Sequence, residues 1–439
     1  MRTRSFRTAA VVGTWLALAA SSCSSGVAPD DTFPRRLPEF VFGSAATDID
    51  TGAMATAAMI GYRWVRVPIR WAMLEPTVTV KPTLTRAELA ANPTLVDAFA
   101  RRADWSIPDA TLTRAADLGL AVIGFVGASS PPRLDGVELD PASLGADTYI
   151  ACQALATQAI VERYGRARAG APDGAPTIAL WQTENELNIS PAATIIGWRR
   201  PAGPLAFLGS PWASFDFQTE LLRALREAVI AGDPRAITET NLSTDMSDTF
   251  NTTFGRPGWE DAVVAWRELV DVIGLDTYPN YYAAEPVDGT IVGARVARIR
   301  ELALPGQQVM VVETNYPNGP AARGYSPAAQ ARYLEDAWTS SRDAGVAGFL
   351  PFAIADGSGA DPDFSAQDQA NLDVLGRALR GGDLLALALL FLTQNDWLTN
   401  RMPALTQTVE GRWGVYGPSG EALPALDVVR AIAAETAGR

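Results

Sequence analysis

Eight short apolar runs, separated by longer stretches with helical spacing, constrain the fold of this chain more than any other feature. The runs are Phe40-Val41-Phe42, Trp64 to Ile69, Ala121 to Val126 and Ile178 to Trp181, followed by Ala236 to Thr238, Val270 to Leu275, Val309 to Val312 and Val346 to Leu350. Near-continuous apolar runs suit strands buried on both faces, as parallel strands are. Between them, residues 217–232 place Leu221, Leu222, Leu225, Ala228 and Val229 on one helical face, and Gly232-Asp233-Pro234 then stops the helix. Helical patterns also occupy 149–164, 259–269, 293–303 and 327–342, with a closing one at 423–436. Strand and helix alternating eight times predict an α/β fold, a (β/α)8 TIM barrel over residues 38–439. The alternative, a doubly wound sheet, uses fewer strands and often carries a Gly-rich phosphate turn, which follows none of these runs. Residues 73–110 form a long connection after the second strand. Residues 353–412 form a long insertion between the eighth strand and the closing helix. The apolar run Leu384 to Leu392 inside it is too short to span a bilayer and predicts a buried helix of a lid or subdomain.

The first 22 residues lie outside that alternation. Arg2, Arg4 and Arg7 precede an apolar stretch from Ala9 to Ala20, the pattern of a secretory signal peptide. Ala20-Ser21-Ser22-Cys23 resembles a bacterial lipobox, which implies a lipid on Cys23 and a polar tether over residues 23–37. The expectation is an exported protein at the cell envelope, touching a membrane only through that anchor, or else a periplasmic or extracellular one. With Cys23 lipidated, Cys152 has no intramolecular partner and no structural disulfide is expected.

Composition narrows the chemistry. The formal net charge of −13 repels phosphate backbones, so nucleic acid is not an expected partner. The chain contains no histidine, which removes Ser-His-Asp and Cys-His catalysis as usually built and the commonest zinc ligand. A working site must therefore use carboxylates, tyrosine, arginine, lysine or amides. In a barrel, such groups come from the C-terminal ends of strands. Strand four runs into Trp181-Gln182-Thr183-Glu184-Asn185-Glu186-Leu187-Asn188, and strand seven ends Val312-Glu313-Thr314-Asn315. A carboxylate directly after a buried strand costs free energy to desolvate, so its presence needs a reason. Glycoside hydrolysis supplies one, because a retaining glycosidase holds two carboxyl groups about 5–5.5 Å apart.

The Trp-x-x-x-Asn-Glu-x-Asn pattern after strand four, with a Glu ending strand seven, resembles the clan A retaining (β/α)8 glycoside hydrolases, among them families 5 and 39. That resemblance implies Glu186 as acid/base and Glu313 as nucleophile, with Asn185 bonding the sugar 2-hydroxyl and Asn188 also binding substrate. Gly61 to Pro68 with Trp71 and Glu75-Pro76 resembles the clan's second strand, which implies Arg66 beside the nucleophile. Asp276-Thr277-Tyr278-Pro279 resembles the segment whose tyrosine, here Tyr278, hydrogen-bonds it. Trp413 to Gly417 and Leu423 to Leu426 resemble the closing turn and helix. The implied substrate is a β-linked oligo- or polysaccharide, cleaved by double displacement with no metal or cofactor. Relatives often carry histidines around the site, a proline where Leu187 stands, and a tryptophan ending strand eight, where this chain has Phe349-Leu350-Pro351-Phe352.

Each site residue has a plainer reading. Glu186 could be an exposed loop acid, with Glu184 as its rival of the same strand parity. Glu313 could be a structural partner of Arg66, Tyr278 could be core filling, and Arg66 could bridge strands. Trp71 is either a sugar-stacking platform or core, and Trp181 reads as core. Trp198, Phe207 and Trp212 line subsites or pack a loop. Asp356, Asp361, Asp363 and Asp368 miss the EF-hand spacing and read as a solvated acidic loop. Beyond hydrolysis, the same fold could serve as a surface carbohydrate-binding lipoprotein or as a transglycosylase.

Overall fold

In a computed structural model, the described residues are 33–44, 51–74, 83–127, 132–134, 137–195, 199–200, 209–245, 251, 256–357, 363–381 and 383–438. The signal segment, Cys23, Glu75-Pro76, Trp198, Phe207 and Asp361 lie outside them. Each of the eight apolar runs contributes a strand: β1 (Val41–Ser44), β2 (Trp64–Pro68), β3 (Ala121–Val126), β4 (Leu180–Thr183), β5 (Ile237–Ser243), β6 (Val272–Thr277), β7 (Gln308–Thr314) and β8 (Gly348–Pro351). They close into one parallel barrel in the order β1-β8-β7-β6-β5-β4-β3-β2. The helices α1 (Thr51–Ile60), α2 (Ser106–Asp117), α3 (Ala146–Tyr164), α4 (Phe215–Gly232), α5 (Trp259–Trp266), α6 (Thr290–Leu302) and α7 (Pro327–Asp343) follow the first seven strands in turn.

The alternating side chains of each strand divide the core in two. Val41, Leu180, Ile237, Val272 and Met310 fill the barrel's interior with Leu37 among them, while the outward residues pack against the helices. Side-chain caps start α4 and α7, where the hydroxyls of Ser214 and Ser326 accept from the N–H groups of Phe217 and Ala329. Among the described residues the long connection after β2 carries three short helices, Trp71–Leu74, Arg86–Ala91 and Thr94–Ala100, before α2 begins.

The insertion after β8 forms α8 (Ala366–Gly381), α9 (Leu384–Thr393), a π-helical turn (Trp397–Arg401) and α10 (Met402–Glu410), and α11 (Ala425–Thr436) then closes the chain. It has an apolar cluster of its own, in which Leu372, Leu375, Leu387, Leu390, Trp397 and Leu405 meet. The expected buried helix is only half buried. Leu387 and Leu390 face that cluster, but Leu385, Leu389 and Leu392 are 72%, 51% and 81% exposed. A run of nearly uniform leucine has no polar face, so a helix made from it exposes apolar surface wherever it packs on one side only. The acidic stretch is also more ordered than expected. Asp368 is buried, pairs with Arg401 and caps α8, while Asp356 accepts from the Gly414 N–H. Among the described residues no acidic or sulfur cluster could hold a metal ion, and no helix is long and apolar enough to cross a membrane.

Candidate active site

Strand periodicity alone would send Glu313 the wrong way. Met310 and Val312 face the barrel interior, whereas Val309 and Val311 face the helices, so simple alternation would turn Glu313 outward. The pairing shows how it is turned in. Leu275 pairs with Val311, but Asp276 pairs with Glu313, and the pairing to β8 shifts at the same place. This one-residue bulge re-aims Glu313 into the mouth, a common use of bulges beside functional sites. There the Arg66 guanidinium donates to Glu313 Oε1 and the Tyr278 hydroxyl donates to Oε2 at 2.8 Å. Glu313 is 7% exposed and Arg66 is fully buried, so the pair is desolvated. Removing one partner of such a pair typically costs about 3–5 kcal/mol, because it strands the other charge. Burial, followed by the charges of Glu313 and Asp276, pushes the Tyr278 hydroxyl well above its usual range, so it stays a donor.

Opposite, β4 ends in a turn with two left-handed residues, Glu184 at φ 63° and Glu186 at φ 45°. Side chains larger than glycine occupy that region at a cost, so the turn needs outside support. Arg199 supplies part of it by donating to the Asn185 carbonyl at 2.7 Å and pairing with the buried Glu184 at 3.5 Å. Asn241 on β5 supplies the rest, its Oδ1 accepting from the Glu186 N–H at 3.1 Å. Glu184 is thus buried under the turn, while Asn185 and Glu186 remain partly accessible. Burial, then the nearby charge of Glu313, pushes the Glu186 carboxyl up to about 8, partly offset by Ser243 and Arg199. The result is a protonated carboxyl at the end of β4, across from one at the end of β7 that is held by a cation and a phenol.

Two expected contributors lie elsewhere. Trp71 is 3% exposed and packs on Phe99 with ring centroids 5.2 Å apart, so it offers no open face to a sugar. Asn188 is 2% exposed and spends its amide on Ser243, donating to the carbonyl at 2.7 Å and accepting from the N–H at 3.1 Å. It ties the β4 turn to the end of β5. Trp212 is buried under Arg199, whose guanidinium lies 4.2 Å from the ring centroid, and Trp181 is core.

Other residues at the mouth had no assigned role in the site from the sequence, although Trp413, Phe352 and Asp276 stood in its motifs. Trp413, from the closing turn, stacks on Tyr278 at 4.5 Å and 12°, with Phe352 edge-on to it at 5.3 Å. The aromatic wall thus comes from the closing turn and the residue after β8. Glu410, the last residue of α10, accepts from the Tyr281 hydroxyl at 2.7 Å and links the insertion to this wall. Glu239 and Asp276 are buried acids on β5 and β6. Burial pushes Glu239 up to about 8 and Asp276 well above the carboxylate range, where Glu313 and Glu186 add to it.

A parallel (β/α)8 barrel with carboxyl groups at the ends of strands four and seven is the class that this fold and site define. Solved structures with the same barrel include an exo-beta-1,4-mannosidase from Opitutaceae bacterium strain TAV5, with 15% identity and a TM-score of 0.51 over 91% of this chain and 60% of that one. A GH5_18 protein from Streptomyces cattleya in complex with GlcNAc gives 15% identity and a TM-score of 0.55, covering 90% of this chain and 80% of that one. Xylanase 10B from Thermotoga maritima gives 12% and 0.50, covering 91% and 97%. The chain therefore shares the barrel fold of the clan A glycoside hydrolases, while spanning 60% of the length of the mannosidase. No family model matches the sequence, and no curated protein does.

Proposed function

We propose that the protein is a retaining glycoside hydrolase acting on a β-linked glycan or glycoside, with Glu186 as acid/base and Glu313 as nucleophile. The observation that carries this reading is the contrast between the two carboxyl groups. Glu186 is pushed up to about 8 by burial and by the charge of Glu313, so it holds a proton to give. Glu313 has an arginine on one oxygen and a phenol on the other, the surroundings of an ionised carboxylate. Paired carboxyls whose surroundings split acid from base are the signature of this chemistry.

In the first step Glu313 attacks the anomeric carbon as the Glu186 proton passes to the leaving oxygen, giving a glycosyl-enzyme ester. Glu186, now ionised, takes a proton from water, which attacks the same carbon and releases the sugar with retained configuration. The resemblance supports Asn185 as the donor to the 2-hydroxyl, and the Tyr278–Trp413 stack would offer an apolar wall beside the sugar. The lipobox-like segment at Cys23 supports placing this activity at the cell envelope, which partition of the expressed chain into membranes, abolished by Cys23→Ser, would check.

The direct test is a screen of β-linked polysaccharides and aryl β-glycosides for released reducing sugar. Glu313→Gln is expected to lower the rate by at least about 10³-fold, the scale on which loss of a catalytic nucleophile is felt. Full activity retained in both Glu313→Gln and Glu186→Gln would refute the reading.

A further inference from the structure

The polar side chains between the two proposed catalytic carboxyls form one hydrogen-bonded belt, and its direction is dictated from both ends. Arginine has only donors, so Gln182 must present its carbonyl to Arg66, at 3.1 Å. Its amide then faces Asn185 Oδ1, at 3.3 Å. At the other end the Glu186 N–H has only a donor to offer, so Asn241 must present its Oδ1 there. Its Nδ2 then faces Asn185 Oδ1 at 2.7 Å and also donates to the buried carboxyl of Asp276. Both ends therefore demand the carbonyl of Asn185, which leaves the Asn185 amide to donate outward; it already lies 3.4 Å from Glu186 Oε2.

We propose that Asn241 is a positioning residue for the acid/base step, holding the Glu186 backbone in its left-handed turn and fixing which way the Asn185 amide points. This inference rests on the glycosidase reading above and assigns Asn241 a part in it. Asn241 is fully buried, so it acts through Asn185 and Glu186 and not by touching substrate. Asp276 belongs to the same device. A protonated carboxyl on β6 gives the Asn241 amide an acceptor without adding a further charge beside Glu313 and Glu186, in keeping with the upward push that burial gives it.

Acid catalysis matters in proportion to how poor the leaving group is. The test is therefore kcat/KM for Asn241→Ala on phenyl and 2,4-dinitrophenyl β-D-glucosides and β-D-mannosides, with a thermal melt to verify folding. A displaced acid predicts a loss of roughly 30-fold or more on the phenyl glycoside and under about 3-fold on the dinitrophenyl one, within the range general acid catalysis spans. Asn241→Asp keeps the volume and the acceptor for the Glu186 N–H. It is expected to show the same bias at smaller size and guards against an alanine variant that does not fold. Equal losses on both leaving groups would overturn the positioning role and leave Asn241 as packing. A Glu186→Gln variant without leaving-group bias, or a parent silent on every glycoside, would instead overturn the function on which the inference rests.

Discussion

Glu239, Asp276 and Glu313 surround the Arg66 guanidinium, with Glu186 close to Glu313, and Arg66 does not serve these acids equally. Its direct bond goes to Glu313, while burial keeps Glu186 and Glu239 protonated up to about pH 8 and Asp276 well beyond the carboxylate range. On the proposed mechanism, deprotonation of Glu186 would remove the proton that the leaving oxygen requires, so activity is expected below its raised pKa and is expected to fall as pH rises through it. The kcat/KM profile on a phenyl glycoside is therefore expected to descend near pH 8. Glu239→Gln should leave that limb in place, because Glu239 is fully buried and has no part in the proposed mechanism. A limb that disappears in Glu239→Gln would mean that the titrating group had been misassigned. At this scale the sequence was informative where residue type is unusual, as with two glutamates after buried strands. It gave no role to Asn241 or Asp276, because a polar residue near a strand end reads the same whether it meets water or a buried network.

At the scale of elements, two local departures from regularity build the site: the bulge that turns Glu313 inward and the left-handed turn that carries Glu186. The strands themselves were legible because burial on both faces writes a continuous apolar run. The bulge was not legible, since one extra residue leaves no mark in composition, and alternation taken literally points Glu313 away. The helix α1, TGAMATAAMI, carries mostly small residues around its whole surface and so gave no amphipathic stripe to read. A further local device is Gly274 on β6, where an added Cβ would lie 1.9 Å from Glu239 Oε1 and 2.9 Å from the Val312 side chain beside the bulge. Gly274→Ala is thus expected to destabilise the fold by about 1–3 kcal/mol, the usual cost of overpacking. Urea unfolding measures this directly, and a midpoint equal to that of the parent would show that the acid can move aside freely.

For the molecule as a whole, the eightfold alternation determined the architecture, and the closed parallel barrel with helices after its strands follows it closely. The insertion was legible only as excess length. Its folding around a small cluster of its own, and the exposure of Leu385, Leu389 and Leu392, depend on which face of a uniformly apolar helix finds a partner. Trp71 and Asn188 show the same limit, because their motif placed them near the site while packing turned them to other work. What barrel closure adds is the meeting of strands four and seven across one mouth, where Glu186 and Glu313 lie close enough for the charge of one to raise the other. The most direct measurement of that claim is covalent trapping with the 2,4-dinitrophenyl 2-deoxy-2-fluoro-β-glycoside of the sugar identified by the screen. The account predicts that the intact protein gains one fluoroglycosyl residue and that peptide mapping finds it on Glu313. A label on any other residue, or turnover that inverts the anomeric centre without a trapped ester, would contradict it.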